Sequence, residues 1–236
     1  MAEMVSRKAG RPHHKTEARE LLISSARDLF VIHSYDKVST RLIAERAGVN
    51  VAMIRYYFGN KAGLFESMVR ETLEPMKVQM DKLVQNSNQE NFIGLMRTYY
   101  REMVKTPRFP RLIAQVMNMP PSDIQRGLLE KVFLDVTKPC QDAIFGKLLE
   151  SGVLKEGMDP KLCRISFVSL MVFPFIAPPP LLALHGVELN DAFLNRLIEH
   201  NIQLMTSGFI NTESSSYSDT ASPLTSQPSV HEKPSA

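Results

Sequence analysis

Residues 40–64 read TRLIAERAGVNVAMIRYYFGNKAGL, and the spacing within them decides the architecture of the amino-terminal part of the chain. Two short apolar clusters flank Gly48: Leu42, Ile43, Ala44 and Ala47 before it, and Val51, Ile54 and Phe58 after it. Each cluster falls on one side of a helix, so the spacing predicts two helices packed face to face about a glycine turn. Glycine tolerates the positive φ that such a tight turn requires. The second helix then keeps Asn50, Ala52, Met53, Arg55, Tyr56 and Tyr57 largely free of the core. This is a helix-turn-helix layout, in which the second helix enters the major groove of duplex DNA.

Two helices about an Ala-Gly-Val turn also occur in helical domains that never meet nucleic acid, so the flanks matter. Ahead of the motif lies a basic arm of Arg7, Lys8, Arg11, Lys15 and Arg19. Directly after it, Gly59-Asn60-Lys61 places an ammonium at a helix start, where free backbone N–H groups and a lysine suit a phosphate oxygen. Charge follows the same division. Through Arg70 there are twelve Lys and Arg against seven Asp and Glu, a net of +5, whereas the remainder carries 16 against 18, a net of −2. A basic head on a near-neutral body fits a nucleic-acid-binding module better than a generally adhesive surface.

Helical periodicity dominates the rest, with no convincing alternating strand. A first helix is expected from Thr16, burying Leu22, Ala26, Leu29 and Phe30, with His33 at its end. Ser39 or Thr40 caps the second, and Asn60 or Lys61 opens a fourth whose inner face carries Leu64, Phe65, Met68 and Val69. Pro75 is expected to kink or end that fourth helix, because it removes a hydrogen bond and clashes with the preceding turn. Polar Gln85 to Glu90 reads as a linker. Further helices are expected over 91–105, 109–118, 122–151, 160–176 and 190–209. Ser122 is the expected cap of the long 122–151 helix, with a bend at Pro139, and Asp159-Pro160 forms an N-cap, N1 pair. From Thr212 onward eight serines and three prolines leave too little apolar surface to offset ordering, so a disordered tail is expected.

Cys140 and Cys163 have no metal-ligand spacing and read as reduced structural thiols of a cytoplasmic protein. The amino terminus has no signal-peptide pattern. The apolar stretch 168–184 is broken by Pro174 and Pro178-Pro179-Pro180, and reads as a core helix followed by a turn rather than a membrane span. No catalytic motif, cofactor site or metal site is apparent, so an enzyme is not expected. The second half is instead rich in methionine and aromatic residues. Met96, Tyr99, Tyr100, Met103, Ile113, Met117, Met119, Phe133, Phe167, Met171, Phe173 and Phe175 are candidates to line an apolar small-molecule cavity. Tyr99, Tyr100, Gln115 and Arg164 would be its polar anchors.

Thr40, Ile43-Ala44, Ala47-Gly48-Val49, Ile54, Tyr57-Phe58, Lys61 and Leu64 together resemble the signature of the tetracycline-repressor (TetR) family of bacterial regulators, over about residues 16 to 68. Asn50, Arg55 and Tyr57 stand where that family usually has Ser, Tyr and His. The resemblance implies an all-α protein with a three-helix DNA-binding domain and a helical ligand-binding and dimerisation domain. The corresponding divisions are a basic arm at 1–15, the DNA-binding domain at 16–70, the effector domain at 71–211 and the tail at 212–236. It assigns phosphate contacts to Thr40, Tyr57 and Lys61, and base reading to Asn50, Val51, Ala52, Met53 and Tyr56, with Arg55 also at the DNA. It implies a double-stranded, palindromic operator, a second copy of the chain and a small-molecule effector as partners. The helices at 160–176 and 190–209 are expected to form the dimer bundle, the latter through Phe193, Leu194, Leu197, Ile198, Ile202, Met205 and Phe209. The alternative is a nucleoid-associated or division-linked DNA-binding protein that answers to a protein partner.

Overall fold

A computed structural model describes the backbone over residues 13–136 and 138–211, and side-chain surroundings over 17–136 and 144–211. The described residues are helical throughout, with a single isolated bridge between Leu154 and Ile210. The chain divides into two compact units, the first ending at Val69 and the second beginning at Arg70. Most of the expected basic arm, the serine-rich tail and the surroundings of Cys140 lie outside the described residues.

In the first unit, α1 (His13–Phe30) starts three residues earlier than expected, and α2 (Thr40–Ala47), α3 (Ala52–Phe58) and the opening of α4 (Lys61–Gln85) pack with it. Leu22, Ala26, Leu29 and Phe30 are buried at the spacing that one face of a helix demands. They meet Ile43, Ala44, Ile54, Leu64, Phe65, Met68 and Val69, all buried. The Phe65 ring meets Phe30 edge-on at 5.1 Å and Tyr35 at 5.6 Å, closing the base of the unit. His33, just beyond α1, is exposed.

The second unit is assembled around α5 (Gln89–Lys105), which buries Phe92, Leu95, Met96, Tyr99, Tyr100 and Met103. Around it stand α6 (Phe109–Met117), α7 (Ile124–Val136), α8 (Lys138–Glu150), α9 (Pro160–Ile176), α10 (Pro179–Leu184) and α11 (Asp191–Gly208). Phe92 stacks on Phe167 of α9 at 4.5 Å and meets Phe145 of α8 edge-on at 5.5 Å. One buried polar node ties three helices together. The Tyr100 hydroxyl donates to Leu170 O at 3.0 Å, and Asn201 Nδ2 donates to both oxygens at 3.0 Å. Groups buried this deeply keep their place only when paired.

Several expectations need correcting. α4 runs through Pro75 to Gln85 instead of ending there. A proline inside a helix costs about 3 kcal/mol, but Leu73, Met76, Met80 and Leu83 are all buried along this stretch, and each contributes roughly 1.5–3 kcal/mol. The linker shrinks to 86–88, where Asn88 accepts from Asn91 N at 2.8 Å and caps α5. The long helix expected at 122–151 is two helices, with Pro139 in the first turn of the second, where a missing N–H is harmless. The cap of α7 is Asp123 rather than Ser122: Asp123 Oδ1 accepts from Gln125 N at 2.8 Å and Arg126 N at 3.1 Å. The turn expected after α9 contains the short helix α10.

The apolar stripe of α11 faces its own unit: Leu194, Ile198, Ile202 and Met205 are buried, and Phe193, Leu197 and Phe209 are half-buried. By contrast α9, expected to be a core helix, exposes Leu162, Ile165, Val168 and Phe173 on its outer side. Asp159 caps it as expected, accepting from Lys161 N at 2.7 Å. No helix among the described residues is long and apolar enough to cross a membrane.

Candidate nucleic-acid interface and a separate cavity

Local chemistry builds the turn between α2 and α3. Ser39 Oγ accepts from Leu42 N at 3.1 Å, which fixes Ser39 as the cap and leaves Thr40 as the first helical residue. Gly48 ends α2 at φ 65°, and Val49 N donates back to Ala44 O at 3.0 Å. Asn50 then caps α3: its Oδ1 accepts from Ala52 N at 2.8 Å and its carbonyl from Met53 N at 2.9 Å. One lone pair of Asn50 Oδ1 is therefore occupied, and its Nδ2 is left for a base edge.

Ile54, 2% exposed, pins α3 to the core. Ala52, Met53, Arg55 and Tyr56 lie on its open side, with Tyr56 66% exposed. Val51 and Leu42, expected in the packed seam, are instead exposed, because Ile43, Ala44, Ala47 and Ile54 fill it alone. Tyr57 is half-buried, its ring edge-on to Tyr56 at 4.8 Å. Arg55 is exposed and has no side-chain partner among the described residues.

Lys61 reaches back rather than outward. Its Nζ donates to Tyr35 O at 3.0 Å and lies 4.0 Å from the centre of the Tyr35 ring, a cation–π contact. Burial, reinforced by Asp36, raises the Tyr35 phenol above its usual range, so the ring stays neutral beneath the ammonium. An ammonium carries three donors, so this tie leaves capacity for a phosphate. Asn60 Oδ1 accepts from Gly63 N at 2.9 Å, so one of the N–H groups expected to serve an anion is already capped. Gly63 is required where it stands: an added Cβ would lie 2.1 Å from Phe58 O.

The residues expected to line a ligand cavity are mostly structural. Met96, Tyr99, Tyr100, Met103, Phe167 and Met171 are buried in the packing around α5. Ile113, Phe133 and Arg164 are half-buried, and Met117 and Gln115 are exposed. Burial pushes the Tyr99 phenol up, with Tyr100 adding to it; burial likewise pushes Tyr100 up to about 12 against the Asn201 hydrogen bond. Neither ionises near neutrality.

A cavity opens elsewhere in the same unit. It has a volume of about 740 Å³ and is walled by the end of α5, by α6, α9 and α10, and by the start of α11. Of the residues expected to line a ligand cavity, Phe175 alone lines it. Its apolar wall includes Val104, Phe175, Leu182 and Leu194, and its charged groups are Arg111, Glu188 and Asp191.

Residues 22–68 match the family described as bacterial regulatory proteins, tetR family. The head of this chain belongs to the tetR family. A stretch of 86 residues is 36% identical to a probable helix-turn-helix-type transcriptional regulator, YttP, of Bacillus subtilis (strain 168), covering 35% of this chain and 42% of that protein. The chain thus matches less than half the length of this relative.

The whole fold is similar to the fatty acid degradation regulator FadR of Bacillus halodurans, with TM-score 0.62, 16% identity, and 80% of this chain and 98% of that one covered. It is also similar to FadR of Bacillus subtilis in complex with stearoyl-CoA, with TM-score 0.60, 18% identity, and 80% and 98% covered. A third similar fold is NalD of Pseudomonas aeruginosa, the secondary repressor of a multidrug efflux pump, with TM-score 0.61, 19% identity, and 86% and 100% covered. These likenesses establish the all-α fold of a helix-turn-helix head followed by a helical domain. The tetR family is one of regulators, not enzymes.

Within this tetR-family head, two features escaped the sequence reading. Arg41, in the first turn of α2, is exposed and has no side-chain partner among the described residues, a free cation beside Thr40. Arg19, counted with the basic residues ahead of the motif, has its guanidinium carbon 5.5 Å from the centre of the Phe58 ring. The first follows from the exposed first turn once Ser39 is known as the cap. The second needs the fold.

Proposed function

We propose that the chain is a homodimeric transcriptional repressor that reads a palindromic operator through α3 and leaves it when a small apolar or amphipathic ligand binds. The observation that carries this reading is the open side of α3, where Met53, Arg55 and Tyr56 project beside Ala52 while Ile54 is locked in the core. Asn50, Val51, Ala52, Met53 and Tyr56 are the base readers; Thr40, Tyr57 and Lys61 position the head on phosphates, and Arg41 and Arg55 add cations.

A second copy is needed because one recognition helix covers only a few base pairs, and a two-fold operator requires two. The outer side of α9 supports that pairing, since Leu162, Ile165, Val168 and Phe173 form an exposed apolar stretch of the kind that marks an interaction surface. α11 supplies only its outer side, including exposed Leu204. Ligand-driven release is supported by the cavity in the second unit and by the similarity in fold to the transcriptional regulator FadR in complex with stearoyl-CoA and to a SmeT–triclosan complex. Such a ligand shifts operator binding only by as much as it prefers one conformer over the other, and the operator must weaken ligand binding by the same factor.

Genome-wide occupancy mapping of the full chain, paired with transcript levels in a deletion strain, tests this function. Occupancy at a few inverted repeats beside genes whose transcripts rise on deletion is the expected result. Occupancy scattered over many sites without transcript change overturns it.

A further inference from the structure

We infer that the cavity between α6, α9, α10 and the start of α11 is a binding site for a cationic amphiphile, with Glu188 as the counter-ion of its headgroup. This rests on the proposal that a small molecule regulates the protein, and it assigns the site and the charge of that molecule. A volume of about 740 Å³ falls within the range of small-molecule pockets, which take an apolar body and a few polar groups. Val104, Phe175, Leu182 and Leu194 supply the apolar wall.

The charge of the ligand follows from how each ionic group on the wall is already used. Arg111 donates through Nε to Phe175 O at 3.0 Å and through Nη2 to Ala177 O at 3.3 Å. Those carbonyls end α9, so the guanidinium sits at the negative pole of a helix, which takes two of its five N–H donors. Asp191 occupies the first turn of α11, where the positive pole of that helix stabilises a carboxylate. Both charges are therefore matched by backbone dipoles. Glu188 is not. It lines the cavity from the loop between α10 and α11 and is exposed; its carbonyl accepts from Asn190 N at 3.0 Å, but its carboxylate has no hydrogen-bond or ion-pair partner among the described residues. A bound ligand sees an apolar wall and one unmatched negative charge at the rim. An anionic headgroup there would meet two carboxylates, Glu188 and Asp191, against the single cation of Arg111, which the end of α9 already holds.

The test uses the full chain and three probes of one chain length, each below its micellar concentration: decyltrimethylammonium, decanol and decanoate. Affinities come from calorimetry. A second measurement uses Leu189→Trp, since Leu189 lines the cavity and the chain contains no tryptophan to compete with the reporter. The ammonium should bind tightest and the carboxylate weakest, and ammonium binding should change the fluorescence of the reporter. Glu188→Gln should weaken the ammonium about fivefold, the weight of one partly exposed charge pair, and leave decanol within about twofold.

Tightest binding of decanoate, indifference of the ammonium to Glu188→Gln, or a silent reporter would each overturn the inference. Operator affinity measured on the same samples separates this from the functional proposal. If the ammonium binds as expected yet operator affinity stands unchanged, the site holds and regulation through it fails. If a probe releases operator equally from the native chain and Glu188→Gln, ligand release holds and the charge assignment fails.

Discussion

Replacing Lys61 by Met keeps the aliphatic stem and removes the ammonium, which the structure gives two tasks. The first is the tie to Tyr35: a charged hydrogen bond at 3.0 Å and a cation–π contact at 4.0 Å. Taken alone these contribute about 1.5–3 and 0.5–1 kcal/mol. Lys61 is only half-buried, so solvent screening brings the expected loss of stability down to about 1–2 kcal/mol. The second task is the proposed phosphate contact. Losing one phosphate contact per head should lower the slope of log affinity against log salt by about 0.9 for each contact, and weaken operator and random duplex alike. Anisotropy titrations of labelled operator and scrambled duplexes across a salt series measure this, at a temperature where thermal unfolding shows both proteins folded. A salt slope equal to that of the native protein, with the melting temperature lowered, would refute the phosphate role and leave Lys61 as a structural tie.

Substituting Met53 by Ala should change the base preferred at one half-site position by about 1–3 kcal/mol in a randomised-site selection, and an unchanged preference would remove Met53 from the reading face. The double substitution of Leu162 and Ile165 by Glu acts on exposed residues, so it should give a folded monomer with little operator affinity. Sedimentation and circular dichroism check this, and a dimer of normal affinity would place the interface elsewhere. The same change at Leu197 and Ile198 would be uninformative, because Ile198 is 3% exposed and a buried charge would unfold the unit. Gly63→Ala should cost more than about 3 kcal/mol in urea unfolding of the head, since its Cβ would meet Phe58 O at 2.1 Å. Gly127→Ala, in open space within α7, should instead stabilise by roughly 0.5–1 kcal/mol. Similar values for the two would refute the close-approach reading.

Residues 40–64 determined the head almost alone, because every decisive signal there is local. The positive φ of Gly48, the caps at Ser39 and Asn50, and the burial of Ile43, Ala44 and Ile54 against an open side of Ala52, Met53 and Tyr56 follow from spacing within one or two helical turns. The helices of the second unit were legible for the same reason, wherever a proline or an Asp or Asn cap marked an end. Their use was not. Methionine and aromatic residues at helical spacing look alike whether they fill a core or line a cavity, and Met96, Tyr100 and Phe167 proved to be core. The apolar stripes of α9 and α11 gave no sign of which one faces inward. That is decided by which stripe reaches α5, and the Tyr100–Asn201–Leu170 node, spanning a hundred residues of sequence, holds α11 there. Lys61 bonding to Tyr35, 26 residues away, and Arg111 bonding to the end of α9 are decisions of the same kind. Periodicity fixes which residues share a face, but the partner of that face is chosen by packing between elements distant in sequence, and only the folded chain contains that information.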